Sequence, residues 1–288
     1  MATDDSTAAE PAARAVWDAH FRAPEAGVAR ARAMHATATD PGERGWLALT
    51  LAFDALFFAS QPAVAQPLLD DARASFTRAG DRRGELLCDI GLARIAINEG
   101  APIAARERLC ALEAGVRRTL SPQDLFWFLV VMAAAHFFAD AFDEAIRDLY
   151  EALDVLRSVD ARAKLPAIMS NLAAALVAVG GYAPAAELAS AALAALADGH
   201  PQLVLFARAN LAEALAGLGE YARAAEVVDA MLVDAAAASR TPEQNHWFAI
   251  AAEVYAHEGR GDDARRVARA AREVHDAFPA GYNDVHAL

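Results

Sequence analysis

Glu243, His246, Glu253 and His257 bring carboxylates and imidazoles into one stretch near the C-terminal end of the chain. Separations of three, seven and four residues place them on one face of a helix. Such a face can exchange protons between acid and base, but a general acid–base site needs more than this. Other chemistry is missing. The eight histidines form no HExxH, and no Cys/His set has zinc spacing. There is no GxSxG, no Walker loop and no strand-linked GxGxxG. His136 lies in an apolar run and reads as a satisfied core residue. Cys88 and Cys110 lie 22 residues apart without a CxxC and read as reduced, buried thiols. The expectation is a chain without enzymatic activity, metal or cofactor.

Asn171 and Asn210 offer binding chemistry instead. A primary amide can both donate to and accept from an extended peptide backbone. Asparagine is a mediocre helix former, yet these two open near-copies of one unit. Asn171–Leu193 reads NLAAALVAVGGYAPAAELASAAL, and Asn210–Leu232 reads NLAEALAGLGEYARAAEVVDAML. The bland alternative is that each amide bonds an adjacent helix turn or loop.

The elements behind these residues follow from the spacing of the copies. Each copy reads as a helix, a tight Gly-Tyr turn and a second helix. Turn residues recur at Ser60, Gly100, Asp140, Gly180, Gly219 and Gly259, at intervals of 40, 40, 40, 39 and 40. Five residues beyond each turn stands Ala65, Ala105, Ala145, Ala185, Ala224 or Ala264. Nine beyond stands Leu69, Leu109, Leu149, Ala189, Val228 or Ala268. Antiparallel helices on a short turn approach closely only where the facing side chain is small, and a larger neighbour fills the groove against the next pair. Each pair then exposes an apolar face that only another pair can cover, so the pairs must stack. Ser121-Pro122 and Thr241-Pro242 read as an N-cap followed by proline at the first helical position. A weaker first unit is expected over Ala12–Phe21 and residues 25–38, broken at Ala23-Pro24.

The pattern resembles the tetratricopeptide repeat. Leu172-Ala173, Gly180-Gly181-Tyr182, Ala185 and Ala192-Leu193 match its Leu-small pair, Gly-x-Tyr turn, following Ala and closing Ala-Leu. Leu211-Ala212, Gly219-Glu220-Tyr221 and Ala224 match again. The period near forty exceeds the family's usual thirty-four or so and is closer to longer-helix relatives such as kinesin light chains. The resemblance implies an all-α, right-handed α-α superhelix of about seven antiparallel helix pairs. Residues 11–277 form one repeat domain, with a disordered leader at 1–10 and a tail at 278–288.

It also implies that first helices line a concave groove for a protein or peptide partner. Asn171 and Asn210 then form a ladder of amides along it. At other groove phases stand Arg94, Glu213 and Glu253, which give the groove acids toward its C-terminal end and one cation earlier. Trp127 and Phe137 belong to an aromatic cluster, part of which faces the groove or a partner. Phe53, Phe57 and Phe58 read in the same way. Two further readings remain open: a sensor module of a bacterial signalling protein, of diguanylate-cyclase or transcriptional-regulator type, and a small-molecule or autoinducer receptor with a pocket around Trp127 and Phe137.

Composition bounds these readings. The chain has 288 residues, 56% hydrophobic, and a formal net charge of −13, which opposes binding to a phosphate backbone. The basic spots, Arg82-Arg83 among them, read as solvated faces. The longest apolar run, Leu125 to Ala139, has fifteen residues, short of the roughly 20 that a membrane span needs. No apolar signal core follows the N-terminus. The expectation is a cytoplasmic protein that binds neither nucleic acid nor membrane.

Overall fold

The computed structural model describes residues 12–58, 61–159, 161–196, 201–237 and 244–277. The expected leader, the tail, the Ser60 turn and the Thr241–Glu243 cap lie outside them. The described residues form fourteen α-helices and no strand. These are α1 (Ala12–His20), α2 (Pro24–His35), α3 (Pro41–Phe57), α4 (Pro62–Ala79), α5 (Arg82–Asn98), α6 (Pro102–Thr119) and α7 (Pro122–Phe137). They continue as α8 (Phe142–Val159), α9 (Leu165–Ala178), α10 (Tyr182–Ala195), α11 (Pro201–Gly217), α12 (Tyr221–Ala237), α13 (Gln244–His257) and α14 (Gly261–Ala277). Seven consecutive pairs result, as the spacing predicts. None of these helices is long and apolar enough to cross a membrane.

Local chemistry sets the ends. Asp40 caps α3 by accepting the Glu43 amide, with Pro41 at the first helical position. Ser121 caps α7 in a reciprocal box: its Oγ accepts the Asp124 amide, and Asp124 accepts from the Ser121 backbone and hydroxyl. Every described turn residue of the forty-residue series is left-handed, with φ of 82° at Gly100, 57° at Asp140, 76° at Gly180, 77° at Gly219 and 73° at Gly259. This conformation ends the first helix of each pair and folds the chain back. Only Asp140 reaches it against the steric cost of a side chain. Asp140→Gly is therefore expected to stabilise the protein by about 0.5–1 kcal/mol, read as a raised thermal midpoint with unchanged helical circular dichroism.

The alanine series behaves as close packing requires. Ala65, Ala105, Ala145, Ala185 and Ala224 are at most 2% exposed, and Leu69, Leu109, Leu149, Ala189 and Val228 are at most 4% exposed. The last copies differ: Ala264 is half-buried and Ala268 exposed, because α14 is the final described helix and no described pair covers it.

The chain divides into two compact units: residues 1–98 with 104–131, and 99–103 with 132–288. In the first, α4 packs against α3 and α5, and α3 touches α5 directly. In the second, the first helices touch in order, α9 with α11 and α11 with α13, while α10 and α12 each wedge between two of them. The first helices thus make one continuous wall in each unit. At one junction of the second unit the Tyr182 ring lies on Gly217, where an added Cβ would come within 2.4 Å of the ring. At the next, Tyr221 stacks on His257, 4.1 Å between ring centroids.

Two expectations need correction. Cys88 is buried, but Cys110 is exposed, since its position on α6 points away from the core. Arg83 is not a solvated charge: it is 9% exposed and paired with carboxylates. His136 is a satisfied core residue as expected, its Nδ1 2.8 Å from Asp148 on α8.

Candidate functional site

The wall of the second unit repeats by register. Ala167, Asn171, Ala174 and Ala178 fall on one face of α9. Phe206, Asn210, Glu213 and Gly217 hold the same positions on α11, and His246, Ile250, Glu253 and His257 on α13. Asn171 is exposed and has no hydrogen-bond partner among the described residues. The small side chains around it on α9 leave its amide accessible to a backbone lying across the helix. Glu213 is half-buried and Glu253 exposed, and the His246 Nε2 lies 3.5 Å from Glu213. This end of the wall is acidic. Its carboxylate–imidazole pair belongs to no metal-holding cluster of His, Cys, Asp and Glu among the described residues.

Asn210 corrects the expected amide ladder. It is 8% exposed, and its Nδ2 donates to the Ser170 carbonyl at 2.8 Å and the Ser170 Oγ at 3.0 Å. Ser170 stands one repeat earlier, ten residues before its turn glycine. The corresponding position ahead of Asn171 is Val130, which offers no such hydroxyl. The two asparagines share a phase but not a partner, so one is a structural staple and the other is left on the surface. Asn210→Ala is expected to cost about 1–2 kcal/mol by stripping buried Ser170 of its donor, measured by urea unfolding.

Of the remaining candidates, Arg94 and Trp127 belong to the first unit and Phe137 to the second. Arg94 on α5 is half-buried, with Nε shielded and without a hydrogen-bond partner among the described residues. Asp54 on α3 holds the same phase; burial raises its pKa, and the Arg32 charge opposes that shift. Phe137 is half-buried and packs edge-on against Phe138 and Phe142.

Trp127 is corrected from a partner contact to a core residue. It is 4% exposed, and the rings of Phe21, Phe53, Phe57, Phe58 and Phe126 surround it at centroid distances of 4.6–6.5 Å. That packing takes the space which a ligand pocket at Trp127 would need. Phe21 comes from the turn after α1, which lies across the first helices of its unit. Trp17 on α1 packs edge-on against Phe53, and its indole N–H donates to Asp124 Oδ1 at 2.9 Å. Asp18 pairs with Arg83 at 3.0 Å, and Arg83 Nε meets Asp124 Oδ2 at 2.5 Å. Burial works against the Arg83 charge, but the bonds and charges of Asp124 and Asp18 outweigh it and raise its pKa. Sequence reasoning missed this latch. Its visible signal was the Ser121-x-x-Asp124 box, which fixes a carboxylate at the start of α7.

No family model matches the chain, and no curated protein does. Solved structures do. A Rap protein complexed with Competence and Sporulation Factor superposes with a TM-score of 0.71 at 13% identity, over 94% of this chain and 78% of its own. Nearly identical TPR-like repeats of kinesin-light-chain type from Podosopora anserina give a TM-score of 0.52 at 22% identity, over 69% of this chain and 98% of theirs. At such identities the likeness shows the fold: a TPR-like helical repeat.

Proposed function

From the TPR-like fold as premise, we propose that this chain is a non-enzymatic scaffold whose second unit binds a protein or extended peptide along the wall of α9, α11 and α13. The exposed amide of Asn171 carries the reading. It stands among alanines on α9, where a ligand backbone can approach closely and take one donor and one acceptor from it. Glu213 and Glu253 favour a ligand with a basic segment over an anionic one, and the net charge of −13 disfavours nucleic acid. The fold neighbour complexed with a factor supports binding as a use of this architecture. A cytoplasmic place of action belongs to this reading.

The test is a titration of a partner captured from the native host. Asn171→Ala is expected to weaken binding about three- to tenfold, the worth of one hydrogen bond, with unchanged melting. Asn210→Ala should do the reverse, lowering the melting midpoint and sparing affinity. Equal affinity of wild type and Asn171→Ala would remove the amide from the site.

Regulation is a second reading, favoured by the likeness to the Rap protein over nearly the whole chain. A signalling output domain encoded beside this chain, with activity that responds to it, would support the role. An output indifferent to the chain would exclude it.

A further inference from the structure

The acidic end of the wall of α9, α11 and α13 carries its own latent counter-charges. We propose that His246 and His257 gate this wall by pH, which rests on the binding role given to it above. A ligand's basic segment is held while the imidazoles are neutral and is expelled when they are protonated.

Each acid of the wall has an imidazole near it. The His246 Nε2 lies 3.5 Å from Glu213 Oε2, with the two side chains 40% and 37% exposed. His257 stands one turn beyond Glu253 on the same face of α13, and both are exposed. The His257 ring lies flat on Tyr221 of α12, 4.1 Å between centroids and 8° between planes, which places it at the turn edge of the wall.

Many charges of the surrounding helices are engaged elsewhere. Arg208 of α11 reaches the Ala230 carbonyl and Asp234 on α12. Asp229 of α12 accepts from Tyr255 and Arg260, and Arg223 pairs with Glu220. Arg260 and Arg266 share Asp263, and Arg265 takes Asp262. Glu226 of α12 and Glu258 are further exposed acids, of the same sign as the wall. The last turns of α14 bring exposed Arg272, Glu273, His275 and Asp276. Glu243, three residues before His246, lies outside the described residues. α9 brings Ala167, Asn171, Ala174 and Ala178 to the wall, none of them charged.

Histidine changes charge between about pH 5 and 8. Above that window Glu213 and Glu253 are open to a lysine or arginine side chain. Below it both imidazole nitrogens are donors, and His246 closes on Glu213 as an internal charge-assisted pair. His257 then sets a positive charge one turn from Glu253, and the Tyr221 face beneath it favours that charge. A ligand cation must now displace one already in place. Linkage makes this reciprocal: binding of a basic ligand drives protons off the wall.

The probe is a fluorescent synthetic peptide of alternating alanine and lysine, whose charge is constant across this range. It is titrated against the full chain by anisotropy at about pH 7.5 and about pH 5.5. Affinity is expected to fall about three- to tenfold at the lower pH, the worth of two partly exposed pairs. The combined variant His246→Gln with His257→Gln should lose most of that ratio. A ratio that survives in this variant belongs to the chain's overall charge and overturns the gate. Binding that weakens in Asn171→Ala but is equal at both pH values overturns the gate and leaves the wall as the site. Binding indifferent to Asn171→Ala, or absent at both pH values, overturns the wall as the site and the gate with it. Should the combined variant not fold, calorimetry of wild type with the probe decides, in two buffers of different ionisation heat at about pH 6.5. Protons released on binding support the gate, and no release overturns it.

Discussion

Asp124→Ala is expected to destabilise the first unit by about 3–5 kcal/mol, the cost of leaving a buried charge without its partner. Asp124 is fully buried and accepts from Arg83, Trp17 and Ser121 at once. Its loss takes from the Arg83 guanidinium its buried partner and leaves it only the half-buried Asp18, removes the acceptor of the Trp17 indole and breaks the capping box of α7. Chemical unfolding followed by tryptophan fluorescence reads this, because Trp17, Trp46 and Trp127 all belong to this unit. The double change Arg83→Met with Asp124→Leu should recover much of the loss, since it removes both charges together. If Asp124→Ala alone cost under about 1 kcal/mol, the network would be a surface pair in energetic terms.

Lys164 gives the second large effect, in the opposite direction. It is 8% exposed, and burial lowers its pKa from about 10.5 to about 8. In the folded protein the charged form is the disfavoured one. Below pH 8 both folded and unfolded chains hold the proton and the penalty is complete. Between about pH 8 and 10.5 only the unfolded chain holds it, so stability contributed at this site rises with pH. The full span is at most about 3.5 kcal/mol, since each tenfold change in proton affinity is worth about 1.4 kcal/mol. Lys164→Met should therefore stabilise the protein at pH 7 by up to that amount, and the gain should shrink as pH approaches 10. Cys88 acts oppositely: burial holds its thiol protonated, so stability falls above about pH 9 as the unfolded thiol ionises. The difference between wild type and Lys164→Met, measured by urea unfolding from pH 7 to 10, cancels that contribution. A pH-independent difference would mean that Lys164 is solvated.

The helix pairs were legible because their cause is local and repeated. A left-handed turn residue and a small side chain five positions later suffice to read them, and both recur at forty-residue spacing. The surface was less legible because it depends on partners far along the chain. Asn171 and Asn210 look alike until Ser170 is seen beneath one of them. Trp127 looks like a groove residue until α1 is laid over it from 107 residues away, through Trp17 and Asp124. Periodicity predicts which face of a helix points outward from its own pair. It carries no information about a nonrepeating segment that comes to lie on that face.

The two tyrosine junctions have a consequence for reading a ligand. Tyr182 meets bare backbone at Gly217, while Tyr221 meets an imidazole at His257, so the successive joints differ in thickness by a side-chain ring. The steps from α9 to α11 and from α11 to α13 are then unequal along the turn edge. A ligand with its own regular spacing cannot shift by one repeat and find the same fit. On the proposed binding reading, this unevenness would give the wall of α9, α11 and α13 a register and a direction, so that a ligand fits it in one place.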